Sequence, residues 1–175
     1  MVSLSYAFTP YEVGKKTILR PMLPVVLKKD DIAFPTVLLV DSGADYSMLT
    51  KDIVRDALNV DLSTLKKEGK TSGITGETEI AWINVKMGFG QRDIYFEEEI
   101  SFQVPLDEGK DPPLPLLGRD PFFYRYRVDY RMGFTTDSSL GKFVIYPEKH
   151  KRSSAKYRQP IKIKKKGSVE QIFSL

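Results

Sequence analysis

Apolar residues in this chain recur in short runs broken by prolines, glycines and paired charges, a pattern that predicts strands. Ile18-Leu19 and residues 22–27 form apolar runs punctuated by Pro21 and Pro24, which suit an edge or a strand entrance. Lys28-Lys29-Asp30-Asp31 is polar enough to turn the chain back into Phe34, and Pro35-Thr36-Val37-Leu38-Leu39-Val40 reads as a buried strand. Thr50 is placed to cap a short helix over 51–58, with Ile53, Val54, Ala57 and Leu58 on one face and Asn59 as its stop. Ser72-Gly73-Ile74-Thr75-Gly76-Glu77 is a glycine-bracketed tip, followed by an alternating segment over 78–87. Gly88-Phe89-Gly90 predicts the next turn, and a strand over 94–104 returns, with Glu97-Glu98-Glu99 as a solvated charged edge. Residues 106–115, which include Asp107, Gly109, Pro112 and Pro113, read as a loop. Phe122 to Tyr126 predicts a second short helix, with Asp120 as N-cap and Pro121 at its first position. Segments 128–134 and 142–146 close the pattern as a hairpin around residues 137–141. There is no internal repeat.

Composition narrows the chemistry. At 175 residues, 41% apolar and 29% charged, the chain predicts one globular domain with an appended tail. No window approaches the roughly 20 apolar residues of a membrane span. Met1 to Tyr6 lacks a basic stretch followed by an apolar core, so no signal peptide is expected. Zero cysteines removes disulfides, thiol catalysis and thiolate metal sites, and agrees with a cytoplasmic location. The single histidine, His150, sits among Lys149, Lys151 and Arg152 and reads as solvated. A Ser-His hydrolase needs its base packed beside a nucleophile, and a zinc enzyme usually needs more than one imidazole. Any catalysis therefore runs on carboxylates, hydroxyls, Lys or Arg, and neither metal nor organic cofactor is expected. The net charge of +4 is unevenly placed: residues 148–175 hold nine Lys or Arg against two acids, while the remaining 147 hold 18 basic and 21 acidic residues. A mildly acidic body of 1–147 and a basic C-terminal tail of 148–175 follow from that split.

The junction between the apolar run ending at Val40 and Asp41-Ser42-Gly43-Ala44 carries the most information. A carboxylate delivered by a buried strand is costly unless hydrogen bonds or a charge hold it. Gly43 permits close backbone approach, and Ser42 supplies a hydroxyl that both donates and accepts. Alone, the tripeptide is also an ordinary turn. About 75 residues on, Leu114-Pro115-Leu116-Leu117 leads into Gly118-Arg119-Asp120. With both motifs in this order, the chain resembles the retropepsin-like (retroviral-type) aspartic proteases over roughly residues 16–147.

That resemblance implies a mainly β fold: a closed barrel with a flap hairpin and two short helices, acting as a homodimer. It implies an aspartic-type endopeptidase in which two carboxylates share one proton and activate a water against the scissile carbonyl of a peptide or unfolded protein. The sequence has one Asp-Ser-Gly and no Asp-Thr-Gly, so Asp41 would meet its own symmetry mate on a twofold axis. Ser42 would bond across that axis, or else locally within its turn. Gly43 would let substrate backbone approach and offer its carbonyl, and Ala44 would belong to the active-site support. Asp45 would contact substrate backbone or pair with Arg119 of the Gly118-Arg119-Asp120 segment, as support for the site. Gly73, Ile74, Thr75 and Gly76 would form the substrate-covering flap, against the plainer reading of a hairpin with no gating role. The viral enzymes build much of their dimer interface from terminal strands; this chain extends past the matching region at both ends, so the resemblance assigns no interface strands.

Other signals were set aside. Glu68-Gly69-Lys70-Thr71 ends like a phosphate-binding loop, but Thr64 occupies the earlier glycine position. The basic tail reads as a solubilising extension, as an edge strand through Ile161-Lys162-Ile163-Lys164, or as a nucleic-acid or acidic-partner contact. The competing function is a non-catalytic interaction or dimerisation protein of the same fold with a nucleic-acid-binding tail. The acidic body disfavours a nucleic-acid-binding barrel.

Overall fold

The computed structural model describes residues 2–73, 76–133 and 140–148. The expectations for residues 134–139, for Ile74 and Thr75, and for the tail from Lys149 onward lie outside that range. The strands are β1 (Leu4–Ala7), β2 (Thr9–Val13), β3 (Lys16–Arg20), β4 (Met22–Lys29), β5 (Ile32–Val40), β6 (Lys67–Gly73), β7 (Gly76–Gln91), β8 (Ile94–Pro105), β9 (Leu116–Leu117), β10 (Tyr126–Arg131) and β11 (Lys142–Pro147). A π-helical turn, Ile53–Ala57, a 3-10 turn, Leu62–Thr64, and one helix, α1 (Phe122–Arg125), complete the described elements.

The strands form three sheets: β1-β11-β10, β2-β3, and a larger sheet in the order β6-β7-β4-β5-β9 with β8 on β7. The larger sheet ends at β6 and β9, which do not pair with each other, so the expected closed barrel is not found among the described strands. The centre is β7, which takes β8 along residues 80–91 and shares its other edge between β6 and residues 26–28 of β4. β5 pairs antiparallel with β4 and parallel with β9, which brings Leu39 beside Leu116 and Val40 beside Leu117.

The core lies between these layers and includes Leu23, Leu27, Leu38, Phe89 and Phe102, all fully buried. Phe89, Phe122 and Tyr126 pack ring to ring, with the Phe122 and Tyr126 centroids 5.1 Å apart. Burying one such side chain contributes roughly 1.5–3 kcal/mol. The same cluster fixes α1 against β7, and α1 follows directly on the Gly118-Arg119-Asp120 segment.

Four local expectations are corrected. Gly88-Phe89-Gly90 is not a turn, because β7 runs through it to Gln91 and the chain reverses at Arg92, whose φ is +53°. These glycines serve close packing instead: a Cβ at Gly88 would lie 1.7 Å from the Tyr95 hydroxyl, and one at Gly90 2.3 Å from the Ile94 carbonyl oxygen. Glu97 and Glu98 are not a free charged edge. Glu97 pairs with Lys28 at 2.5 Å, and Glu98 takes the Arg125 guanidinium and the Tyr126 hydroxyl. The Asp120 side chain does not cap α1, whose N-cap position is Pro121. The first half of β5 is not buried on both faces, since Val37 is 41% exposed and only Leu38, Leu39 and Val40 are enclosed. Asn59 does end the helical turn, in the left-handed region at φ +52°.

Among the described residues, no helix is long and apolar enough to cross a membrane.

Candidate active site

Asp41 emerges where β5 meets β9. Its N–H donates to the Leu117 carbonyl at 2.9 Å, continuing the parallel ladder one residue past the strand. The backbone then turns: the Gly43 N–H donates to Asp41 Oδ1 at 2.9 Å, and the Ala44 N–H to the Asp41 carbonyl at 3.3 Å. The carboxylate is thus held by an amide two residues ahead, at an Asx-type turn. A Cβ at Gly43 would stand 3.1 Å from Asp41 Oδ1, so a small residue there keeps the carboxylate in place. Asp41 and Ala44 are half-buried, whereas Ser42 and Gly43 are exposed.

The second motif is tied to the first residue by residue. Arg119 N–H donates to the Ala44 carbonyl and Asp120 N–H to the Asp45 carbonyl, both at 2.8 Å. The Arg119 guanidinium forms an ion pair with the Asp45 carboxylate, with both side chains more than half exposed. At that exposure the pair contributes little stability, about 0–1 kcal/mol. Gly118 is required by contact: a Cβ there would lie 2.3 Å from the Tyr46 carbonyl oxygen. The two loops therefore cross backbone against backbone.

Two residues at this junction have no motif to announce them. Ser47 is fully buried; its hydroxyl accepts from the Gly118 N–H at 3.1 Å and donates to the Asp120 carbonyl at 3.4 Å. Its own carbonyl accepts from the Gln103 N–H at 2.9 Å, which links the knot to β8. A serine between Tyr46 and Met48 offers no periodic signal. Tyr130, on β10, donates its hydroxyl to the Val40 carbonyl at 3.1 Å, directly behind Asp41. Burial, and then the nearby Asp41 charge, push the Tyr130 phenol up to about 12. This contact joins positions 90 apart in the chain, and nothing local predicts it.

Gly73 and Gly76 are placed as the last described pair of a β6–β7 hairpin, whose arms are held by Lys67–Glu79 at 2.5 Å and Lys70–Glu77 at 2.7 Å. Ile74 and Thr75, the two residues between them, fall outside the described range. The 106–115 loop braces this hairpin from the side. Leu106 N–H donates to the Glu79 carbonyl at 2.9 Å, and Glu79 N–H to Asp107 Oδ2 at 3.0 Å. The latter bond, above all, holds the Asp107 carboxyl below its usual range. Buried Lys51 anchors the same loop, with its Nζ 2.7 Å from the Asp107 carbonyl and its N–H 2.7 Å from Asp111 Oδ1.

No family model matches the chain, and no curated protein matches it. Solved structures do. A retropepsin-like aspartic protease from Rickettsia conorii superposes with a TM-score of 0.50 at 18% identity, covering 83% of this chain and 99% of that one. EIAV protease, in an inhibitor complex, aligns with a TM-score of 0.46 at 23% identity over 65% of this chain and 91% of that one. The Rickettsia likeness, at that identity, is one of fold: the chain has a retropepsin-like fold.

Proposed function

We propose that this protein is an aspartic-type endopeptidase that hydrolyses peptide bonds with a water held between Asp41 and the Asp41 of a second copy. The observation that carries this reading is the seating of Asp41. A strand end, the Leu117 carbonyl and the Gly43 amide hold one carboxylate at the surface of the junction, half-buried. An Asx turn alone is an ordinary loop device; what sets this one apart is that its loop is bonded backbone to backbone with the Gly118-Arg119-Asp120 loop. One carboxylate does not complete the chemistry, because one member of the pair must take a proton from water while the other donates to the carbonyl oxygen. A twofold homodimer is the smallest assembly that supplies both.

Within this reading Ser42 braces the turn, Asp45 and Arg119 orient the loop beside substrate backbone, and the Gly73–Gly76 hairpin closes over the bound peptide. The domain spans 1–147 and the basic tail 148–175, the enzyme works without metal or organic cofactor, and its lack of cysteine suits the cytoplasm. The tail contributes no catalytic group.

The test compares wild type with Asp41→Asn on an unfolded protein pool, with cleavage followed by mass spectrometry and mass by sedimentation. Wild type is expected to cleave as a dimer. Asp41→Asn should fold, by circular dichroism, and lose at least about a thousandfold in rate. Equal activity in the variant overturns the assignment, and a fully active monomer overturns the shared site. A dimeric, inert wild type would leave the fold as an interaction module.

A further inference from the structure

A partly open cavity borders the same loops. It encloses about 220 Å³ and is lined by Tyr46, Trp82, Glu99, Ser101, Asp120, Pro121 and Arg125. That is below the roughly 300–1,000 Å³ of sites for drug-sized ligands, and suits one long side chain with a few waters.

Its lining selects for charge. Arg125, itself in the lining, is already engaged by the Glu98 carboxylate and the Glu99 carbonyl. The Glu99 and Asp120 carboxylates make no ion pair among the described residues. Two exposed acids without an ion-pair partner among the described residues therefore line the cavity. The Tyr46 and Trp82 rings meet edge to face at 5.3 Å and form an apolar wall. Carboxylates at the rim and aromatic rings along the wall are what a Lys or Arg side chain requires, with its stem along the rings and its head at the acids.

The place of the pocket says whose side chain that is. Tyr46 follows Asp45 and Asp120 follows Arg119, the residues joined by the ion pair and by the Asp120 N–H to Asp45 carbonyl bond. The pocket therefore adjoins the Asp45–Arg119 pair, which in the protease reading orients the loop beside substrate backbone. We infer that the Tyr46–Trp82–Glu99–Asp120 pocket binds a basic side chain of the peptide substrate, some positions away from the bond that is cut. The inference rests on the protease reading and adds a substrate class: extended segments carrying Lys or Arg at a fixed distance from the cleavage site.

Trp82 is the chain's single tryptophan, so its fluorescence reports on this pocket without a label and without catalysis. Acetyl-Gly-Arg-Gly-amide should change that fluorescence saturably, whereas the citrulline counterpart, equal in shape but uncharged, should not. Glu99→Gln should weaken the arginine response about fivefold and Glu99→Lys should abolish it, while added salt weakens it in wild type. An equal response to arginine and citrulline, or none at all, overturns the inference whatever the enzyme does. In the cleavage experiment, sites cut by wild type should be enriched in Lys or Arg at one fixed offset. Glu99→Gln should erase the enrichment while cleavage continues. Cleavage with no basic preference refutes the pocket's role and leaves the protease reading intact; an inert wild type that still distinguishes the two peptides refutes the protease reading alone.

Discussion

The loop junction around Asp41 and the β6–β7 hairpin belong to one fold but are held together differently. At the junction, backbone bonds to backbone across two loops, with Ser47 buried between them and Gly118 against Tyr46. In the hairpin, nearly every residue of β6 is exposed, and the side-chain ties between its two arms are the surface pairs Lys67–Glu79 and Lys70–Glu77. The first kind of contact fixes atoms to fractions of an ångström, because any shift strands a buried donor. The second kind adds little stability and is screened by salt. On the proposed protease reading, two carboxylates in register require the first kind, and a hairpin that opens for a peptide is served by the second.

Substitutions test that contrast. Gly118→Ala should do the most damage, since its Cβ would sit inside the Tyr46 carbonyl; about 3 kcal/mol is expected, or a fall in Tm near 6–12 °C by calorimetry. Ser47→Ala strands the Gly118 N–H and should cost roughly 1–3 kcal/mol by urea unfolding. If either variant unfolds like wild type, the junction is not the rigid half. A smaller effect, confined to alkaline pH, should come from Tyr130. Its folded phenol titrates at about 12 against 10 for the free side chain, so its stabilisation is complete below pH 10 and lost as pH rises toward 12. Tyr130→Phe should flatten the stability profile across that window, as measured by urea midpoints at pH 9 and pH 11. Smallest of all, Lys67→Ala with Lys70→Ala should move the unfolding midpoint by about 0.5 kcal/mol or less. A loss comparable to that of Ser47→Ala would erase the distinction between the two regions.

Much of this contrast is legible in the residues. Leu38-Leu39-Val40 before Asp41 marks a strand entering a polar turn, and Leu116-Leu117 before Gly118 marks its parallel neighbour, because both signals are local and contiguous. The hairpin is announced by Gly73 and Gly76. What stays hidden depends on distance along the chain. Tyr130 meets Val40 only because β10 is carried there by its pairing with β11, and β1 exists as a strand because β11 offers it an edge. Gly88 and Gly90 mislead for the same reason: they read as a turn, yet their meaning is the Tyr95 ring and the Ile94 backbone folded over them. Glu97 and Glu98 look like solvated charges until Lys28 and Arg125 arrive from other elements.

The 16-residue β7, about 50 Å of extended chain, is packed in the aromatic core at Phe89 and exposed at Gly76. A strand held this way turns a small tilt at its root into a large displacement at its exposed end. On the proposed protease reading, repacking Phe89 should therefore alter how the hairpin meets a bound peptide, and so change turnover from a position that touches neither acid nor peptide.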